Sequence, residues 1–140
     1  MATINKKTIR PMKIAWKKMI EGDTSTHYYA SKAWQRLRNM YISLHPICEE
    51  CVKHGHVEPA TQIHHIRRFM AETNESARWN TFLNENNLIA VCDKCHYGYH
   101  NHMRKHHTDE CDMLTQEEWE QAQLQYGNLY ANYNYEEDEE

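Results

Sequence analysis

The sequence predicts a small α+β domain in which two short strands and a helix are held together by a structural zinc ion. Two Cys-x-x-Cys pairs, Cys48/Cys51 and Cys92/Cys95, stand 40 residues apart, and two short apolar runs lie between them. A segment with histidines at helical spacing begins at the second pair. With 140 residues, the chain is long enough for one domain with a modest core and too short for two.

The spacing of the four cysteines favours zinc over disulfides. Two Cys-x-x-Cys pairs suit four thiolates around one tetrahedral zinc ion. Two-residue gaps are poor for internal bridges, the cysteine count is 5, and the first residues lack the basic-then-apolar pattern, so we expect no export leader. We therefore expect a reducing, cytoplasmic compartment, with Cys111 as a free thiol. Because so small a core yields only a few kcal/mol, and structural zinc contributes about 10 to 16 kcal/mol in finger peptides, the metal should be essential for folding.

The net charge of −4 hides a segregation of charge along the chain. Residues 1–40 carry a net +7, residues 41–105 are neutral and residues 106–140 carry −11. A basic N-terminal segment is typical of proteins that bind a polyanion such as nucleic acid, although charged runs are also common on solvated surfaces. Apolar runs stay far below the roughly 18 to 20 residues of a membrane helix, so we expect no membrane partner.

The chain before the first cysteine pair is predicted to be helical. One helix is expected over about 11–20, within a basic extension of residues 1–27. Another begins at a Ser25 or Thr26 cap and ends before Pro46, with apolar side chains at helical spacing. Its aromatic residues are interpreted as core that packs against the first cysteine pair rather than as a base-stacking surface. These residues are Tyr28, Tyr29 and Trp34.

Strand, loop and strand are predicted between the cysteine pairs. Residues 60–66 are rich in β-branched side chains, residues 67–86 form a polar loop with one helical turn, and residues 88–91 form a second strand. Because one ion joins both pairs, the strands must fold back as a hairpin with the following helix across it.

Two helices are predicted after the hairpin. The first runs from Asp93, as its cap, to about Lys105. The second opens with a capping box formed by Thr115 and Glu118 and ends at Gly127, before a tail with little tendency to fold.

Four of the 11 histidines are predicted to converge. His96 and His100 are four residues apart on one helix, which puts both imidazoles on one face. His64 and His65 end the strand that must face this helix. Three imidazoles at one point make a site for a divalent cation, and the fourth is left to move protons. The others are interpreted as exposed side chains: His27, His45, His54, His56, His102, His106 and His107. Of these, His102, His106 and His107 stay open as rival ligands or phosphate contacts.

These motifs resemble those of the HNH endonucleases. The similarity lies in Ile63-His64-His65-Ile66, then Asn87 followed by an apolar strand into Cys92-Asp93-Lys94-Cys95-His96, and then His100. The run from Tyr29 to Trp34 also looks like the lead-in of small HNH proteins of bacteriophages. The resemblance covers residues 28–103 and implies a ββα-metal fold with two cysteine pairs on structural zinc.

The resemblance implies a role for each matching residue. His65 would be the general base, and Asn87 would hold the hairpin and orient that base. His64, His96 and His100 would bind the catalytic cation, with His100 found in only part of the family. An all-histidine set leaves the ion open among Mg²⁺, Mn²⁺, Ni²⁺ and Zn²⁺. The nuclease domain would span residues 28–105, and residues 106–140 would form the acidic C-terminal helix and tail.

The implied substrate is DNA, expected to be double-stranded. Candidate phosphate-binding side chains flank the histidines, although solvated arginines are an equal alternative; they are Arg67, Arg68, Arg104 and Lys105. Small phage members often work beside the terminase, so a packaging partner in a bacterial or phage-infected cell is expected from the resemblance.

Two other functions compete with the nuclease. A non-catalytic zinc module that only binds DNA would have no second metal site. A zinc deaminase needs His-x-Glu followed by Pro-Cys-x-x-Cys, but Val91 replaces the proline and Cys48 and Cys51 would be idle.

Overall fold

The computed structural model describes residues 25–126. The helix predicted over about 11–20, the predicted helix end at Gly127 and the acidic tail lie outside these residues. The division into residues 1–27, 28–105 and 106–140 stays a prediction. Within the described part, no helix has the length and apolar character needed to cross a bilayer.

The described chain combines short helices with one two-stranded sheet. In chain order, its elements are α1 (Thr26–Tyr29), α2 (Lys32–Leu44), α3 (Glu49–Lys53), β1 (Gln62–His65), α4 (Glu75–Phe82), β2 (Leu88–Val91) and α5 (Asp93–His106). Residues 116–126 belong to a further helix, α6. Single 3-10 turns lie at Phe69–Ala71 and Glu85–Asn87. The predicted α+β class is confirmed.

The two strands form the predicted hairpin. β1 and β2 pair antiparallel, with Gln62 opposite Val91 and His65 opposite Leu88. Beyond the strands, the Thr61 amide donates to the Val91 carbonyl at 2.9 Å, and the Ile66 amide donates to the Asn87 carbonyl at 2.8 Å. The pairing therefore extends past the four residues of β1, and α5 packs against both strands.

The hairpin separates two buried clusters. Because successive strand side chains point to opposite faces, Leu88 and Ala90 enter one cluster while Ile89 and Val91 enter the other. The aromatic cluster consists of Tyr28, Trp34, Tyr41, Ile63, Phe69, Phe82, Leu88 and Ala90. The sulfur cluster consists of Cys48, Cys51, Ile89, Val91, Cys92, Cys95, Tyr99, Met103, Cys111 and Leu114.

The predicted packing of the N-terminal aromatics is partly wrong. Tyr28 and Trp34 are core, at 1% and 6% exposure, but they pack in the aromatic cluster instead of against the cysteines. Tyr29 is 43% exposed. The reason is that the strands lie between α2 and the sulfur cluster, so α2 covers the face of the hairpin that carries Ile63.

The helix predicted from Ser25 or Thr26 is broken at Ser31. Ser31 caps α2: its hydroxyl oxygen accepts a hydrogen bond from the Trp34 amide at 3.2 Å and donates to the Tyr28 carbonyl at 2.7 Å. The Ser25 side chain makes no capping bond to α1. A serine in extended conformation offers the backbone a cap that competes with an unbroken helix.

Asp93 is the first residue of α5 instead of its cap, since Cys92 holds the cap position. The Asp93 carboxylate accepts hydrogen bonds from the Thr61 hydroxyl at 2.7 Å and from Nε2 of the Gln62 side chain at 3.0 Å. It therefore joins the start of α5 to β1. The capping box of α6 is confirmed, because Thr115 and Glu118 exchange two bonds of 3.0 Å between backbone and side chain.

The segment predicted as a polar loop is more helical than expected. It contains the eight-residue helix α4, capped by the Asn74 side chain on the Ala77 amide. Phe82 is fully buried in the aromatic cluster, and Tyr28 donates to the Glu75 carboxylate at 2.7 Å. These contacts with residues distant in the chain stabilise a helix that the polar sequence of the segment does not predict.

Candidate functional site

The four paired cysteines form one buried group. Cys48 and Cys51 come from the cap and first turn of α3, and Cys92 and Cys95 from the same positions of α5. The Cys51 sulfur lies 3.8 Å from the Cys92 sulfur and 3.5 Å from the Cys95 sulfur. Zinc–sulfur bonds of about 2.3 Å in a tetrahedron put sulfurs about 3.8 Å apart. The spacing suits four ligands of one ion, and all four cysteines are free.

The electrostatics of this group also fit a cation. Hydrogen bonds from the Cys92 and Cys95 thiols lower the pKa of Cys48 to about 2. The Cys51 amide additionally points at the Cys48 sulfur from 3.4 Å. Thiolate is the form that binds metal. In contrast, burial raises the pKa of Cys111 to about 11, so the fifth cysteine stays a protonated free thiol outside the group.

Three histidines converge where β1 faces α5. Ligand atoms of His64, His96 and His100 all lie within 4.8 Å of one another. The Nε2 atoms of His96 and His100 are 3.0 Å apart. Two nitrogens bonded at a right angle to one ion, each at about 2.0 to 2.1 Å, are about 3 Å apart. The predicted convergence of these three residues is therefore observed, and their spacing would suit ligands of one metal ion.

These imidazoles are held in the neutral form that metals bind. Burial lowers the pKa of His64 to about 2 and that of His96 to about 4. Burial, followed by the positive charges of Arg104 and Arg68, lowers the pKa of His100. His64 Nε2 lies 2.9 Å from the Cys111 carbonyl. Since a carbonyl only accepts, the proton is on Nε2 and the Nδ1 lone pair remains available.

His65 points to the opposite face of the strand from His64. It is 8% exposed and lies against Trp34 and Phe82, with ring centroids 5.1 and 4.8 Å away. Its Nε2 donates to the Phe82 carbonyl at 3.0 Å, which leaves Nδ1 as an acceptor. Burial lowers the pKa of His65 to about 4, so the ring is neutral at neutral pH. This is the protonation state a general base requires.

All four histidines line one cavity of about 700 Å³. The cavity lies between α2, β1 and α5, and Tyr29 and Trp34 form part of its wall. His64 and His65 therefore reach the same space although they leave β1 on opposite faces. A group bound in this cavity can contact the three-histidine cluster and His65 together.

Asn87 fastens the end of the hairpin. Its Oδ1 accepts from the Arg67 amide at 2.9 Å. Its Nδ2 donates to the carbonyls of Arg67 at 3.0 Å and Thr81 at 3.2 Å. With every side-chain polar group engaged by backbone, Asn87 acts on the strand that carries His65 rather than on the imidazole itself.

The predicted phosphate-binding residues differ in their surroundings. Arg67 is paired with Glu72 at 3.1 Å and Glu110 at 3.3 Å. Arg68 is paired with Asp109 at 3.0 Å and also lines the cavity. Arg104 bonds to Asn101, and both Arg104 and Lys105 are exposed. Of the four, Arg68 is the one that lines the cavity of the histidines.

Arg38 is a cavity residue that the sequence did not indicate. It lines the same cavity from α2, and its guanidinium donates to the Thr61 carbonyl at 3.4 Å. Its position four residues after Trp34 was the available signal, since that spacing puts both side chains on one helix face.

The interpretation of the remaining histidines as exposed is wrong at three of them. His45 is half-buried, with its ring stacked on that of Tyr41 at a centroid distance of 4.3 Å. His54 has only 7% of its side chain exposed, stacks on Trp119 at 5.1 Å and contacts Glu50 at 2.6 Å. His102 has 25% exposed and contacts Glu118 at 2.7 Å. His54 meets Trp119 and His102 meets Glu118, and both partners are far away in the chain, so the local pattern did not indicate these contacts.

Comparison with known proteins identifies the fold. No protein-family model matches the chain, and no curated protein matches it. Among solved structures, it is similar to the crystal structure of the HNH endonuclease of the deep-sea thermophilic bacteriophage GVE2 with a manganese ion. The similarity covers 66% of this chain and 95% of that one, with a TM-score of 0.53 and 20% sequence identity. The chain therefore has the fold of an HNH endonuclease, as the resemblance implied.

Proposed function

We propose that this protein is a metal-dependent HNH endonuclease that hydrolyses phosphodiester bonds of DNA. The observation that carries the proposal is that the three-histidine cluster and His65, all neutral, line the same cavity. The fold shared with a phage HNH endonuclease supports it. A module that only binds DNA has no need for this second donor cluster beside the four cysteines.

His65 acts as the general base in this proposal. Its Nε2 is held by the Phe82 carbonyl, so Nδ1 takes the proton from the attacking water. The stacked rings of Trp34 and Phe82 fix the plane of the imidazole. A base positioned in this way contributes about 10² to 10⁴ in rate, or about 3 to 5 kcal/mol.

His64, His96 and His100 hold the catalytic cation. When bound, a divalent ion stabilises the negative charge that develops on the phosphate and the leaving oxygen. Three neutral imidazoles favour Mn²⁺, Ni²⁺ or Zn²⁺ over Mg²⁺, which prefers oxygen ligands. Cys48, Cys51, Cys92 and Cys95 hold the separate structural zinc.

The substrate contacts come from basic side chains around the cavity. Arg38 and Arg68 line it, and the charge of Arg104 acts on His100. Arg68 exchanges Asp109 for a phosphate in this proposal, and Arg67 exchanges Glu72 and Glu110. Residues 1–40, with a net +7, add attraction for double-stranded DNA. A terminase partner and a location in the cytoplasm of a bacterial or phage-infected cell stay predictions from the resemblance.

The test is cleavage of supercoiled plasmid with Mg²⁺, Mn²⁺, Ni²⁺ or Zn²⁺ added singly. We expect wild type to convert the plasmid with at least one ion, leaving 5′-phosphate and 3′-hydroxyl ends. His65→Ala and His65→Gln should lose cleavage, while His107→Asn, which changes an exposed histidine outside the cavity, should not. Zinc content and circular dichroism verify that each variant is folded.

An intact plasmid with every ion, together with a retained gel shift, would support the non-catalytic DNA-binding module instead. Full activity of both His65 variants would show that His65 is not the general base and that another group takes the proton.

A further inference from the structure

A second group of imidazoles lies on α5, turned away from His96 and His100. His102 follows His100 by two residues, a rotation of about 200° around the helix. His106 lies one turn after His102, with ring centroids 4.4 Å apart. Glu118 of α6 reaches this pair, with its Oε2 2.7 Å from His102 Nδ1 and 3.6 Å from His106 Nε2. Ligand atoms of the three residues all lie within 4.8 Å of one another.

The carboxylate of Glu118 is oriented by its own helix. Its Oε1 accepts the Thr115 amide at 3.0 Å in the capping box, which fixes the side chain across the start of α6. Oε2 is thereby directed at the two imidazoles. The contact joins the last turns of α5 to the first turn of α6, two elements that also meet around Gly98.

The donor set has the composition of a metal site. One imidazole would be enough to form a hydrogen bond with Glu118. Here two imidazoles, one helical turn apart, face the same carboxylate, and the three groups together form a chelating set. His106 has 50% of its side chain exposed and Glu118 has 24%, so water can complete the coordination. Nitrogen donors with one carboxylate favour Zn²⁺, Co²⁺, Ni²⁺ or Cu²⁺ over Mg²⁺ and Ca²⁺.

We propose that His102, His106 and Glu118 form a further divalent transition-metal site that fastens α6 onto α5. The site is separate from the four cysteines and from the three histidines of the cavity. It does not rest on the nuclease activity, because its residues lie outside the cavity wall. Its effect is to make the attachment of the C-terminal helix dependent on metal.

The test counts bound metal by isothermal titration of the zinc-loaded protein with Ni²⁺. We expect His106→Ala and Glu118→Gln each to bind one Ni²⁺ fewer than wild type. Glutamine at 118 keeps an acceptor for the Thr115 amide, so the capping box survives the change. His107→Asn is the matched control, because residue 107 has a φ of 52°, which asparagine tolerates, and its imidazole is outside the cluster.

A second readout is thermal unfolding. Ni²⁺ should raise the Tm of wild type and His107→Asn more than that of His106→Ala and Glu118→Gln. Equal Ni²⁺ stoichiometry in all four proteins would overturn the proposal. The expected difference of one ion persists even if the cavity cluster binds none, so failure of this site and failure of the proposed function are separable.

Discussion

The hydroxyl of Tyr99, in the middle of α5, donates a hydrogen bond of 2.7 Å to the carboxylate of Glu50 in α3. Both side chains are completely buried. The other carboxylate oxygen of Glu50 accepts the Leu114 amide at 3.1 Å and lies 2.6 Å from His54 Nε2. A single carboxylate beside Cys51 thus joins the cysteine group to α5 and to the segment that leads into α6.

Glu50→Ala should destabilise the fold strongly. It leaves the Tyr99 hydroxyl, the Leu114 amide and the His54 ring without their shared acceptor inside the core. Removal of one partner from a buried charged contact costs about 3 to 5 kcal/mol. We expect a loss of this size in the free energy of unfolding measured in urea, and a smaller loss for Glu50→Gln, which keeps one acceptor. Glu117→Gln, on the exposed surface of α6, is the control and should change little.

Loss of the structural zinc should unfold the domain. One tightly bound zinc per chain is expected to survive dialysis, and Cys51→Ser should remove it and much of the helical circular dichroism. The reason is that the metal supplies about 10 to 16 kcal/mol in comparable sites, while the two clusters are small. Cys111→Ser changes a buried cysteine outside the group and should retain the zinc. Retention of both zinc and fold by Cys51→Ser would contradict the assignment.

His64→Ala and His65→Ala should fail in different ways, because the two side chains leave β1 on opposite faces. His64→Ala removes a proposed ligand, so we expect cleavage to need more Mn²⁺ and to recover partly when Mn²⁺ is raised. His65→Ala removes the proposed base, so the rate at saturating Mn²⁺ should fall by about 10² to 10⁴. The measurement is the plasmid cleavage rate as a function of Mn²⁺ concentration. Identical metal dependence in the two variants would show that they do not have separate roles.

Gly98→Ala should destabilise the junction of α5 with α6. A Cβ at residue 98 would lie 2.8 Å from Leu114 Cδ1 and 2.9 Å from Ala122 Cβ. Overpacking of this kind costs about 1 to 3 kcal/mol, which outweighs the gain of about 1 kcal/mol in helix propensity. We expect a lower Tm by calorimetry. A higher Tm would contradict the prediction, since an alanine that causes no clash would stabilise the helix instead.

The features that depend on neighbouring residues in the chain could be predicted from the sequence. They include the Cys-x-x-Cys spacing, the four-residue spacing of His96 and His100, the strand at residues 88–91 and the Thr115 capping box. Each of these depends only on residues that are close together in the chain. The order of these motifs also implied the hairpin and the fold that it belongs to.

The contacts between distant side chains could be seen only in the folded structure. It buried Glu50 beneath Tyr99, paired Arg67 and Arg68 with the acidic Asp109 and Glu110, and brought Glu118 to His102. These contacts span from 16 to 49 residues of chain. No local sequence pattern predicts such pairs, because they form only after the hairpin and the cysteine group have fixed the position of α5.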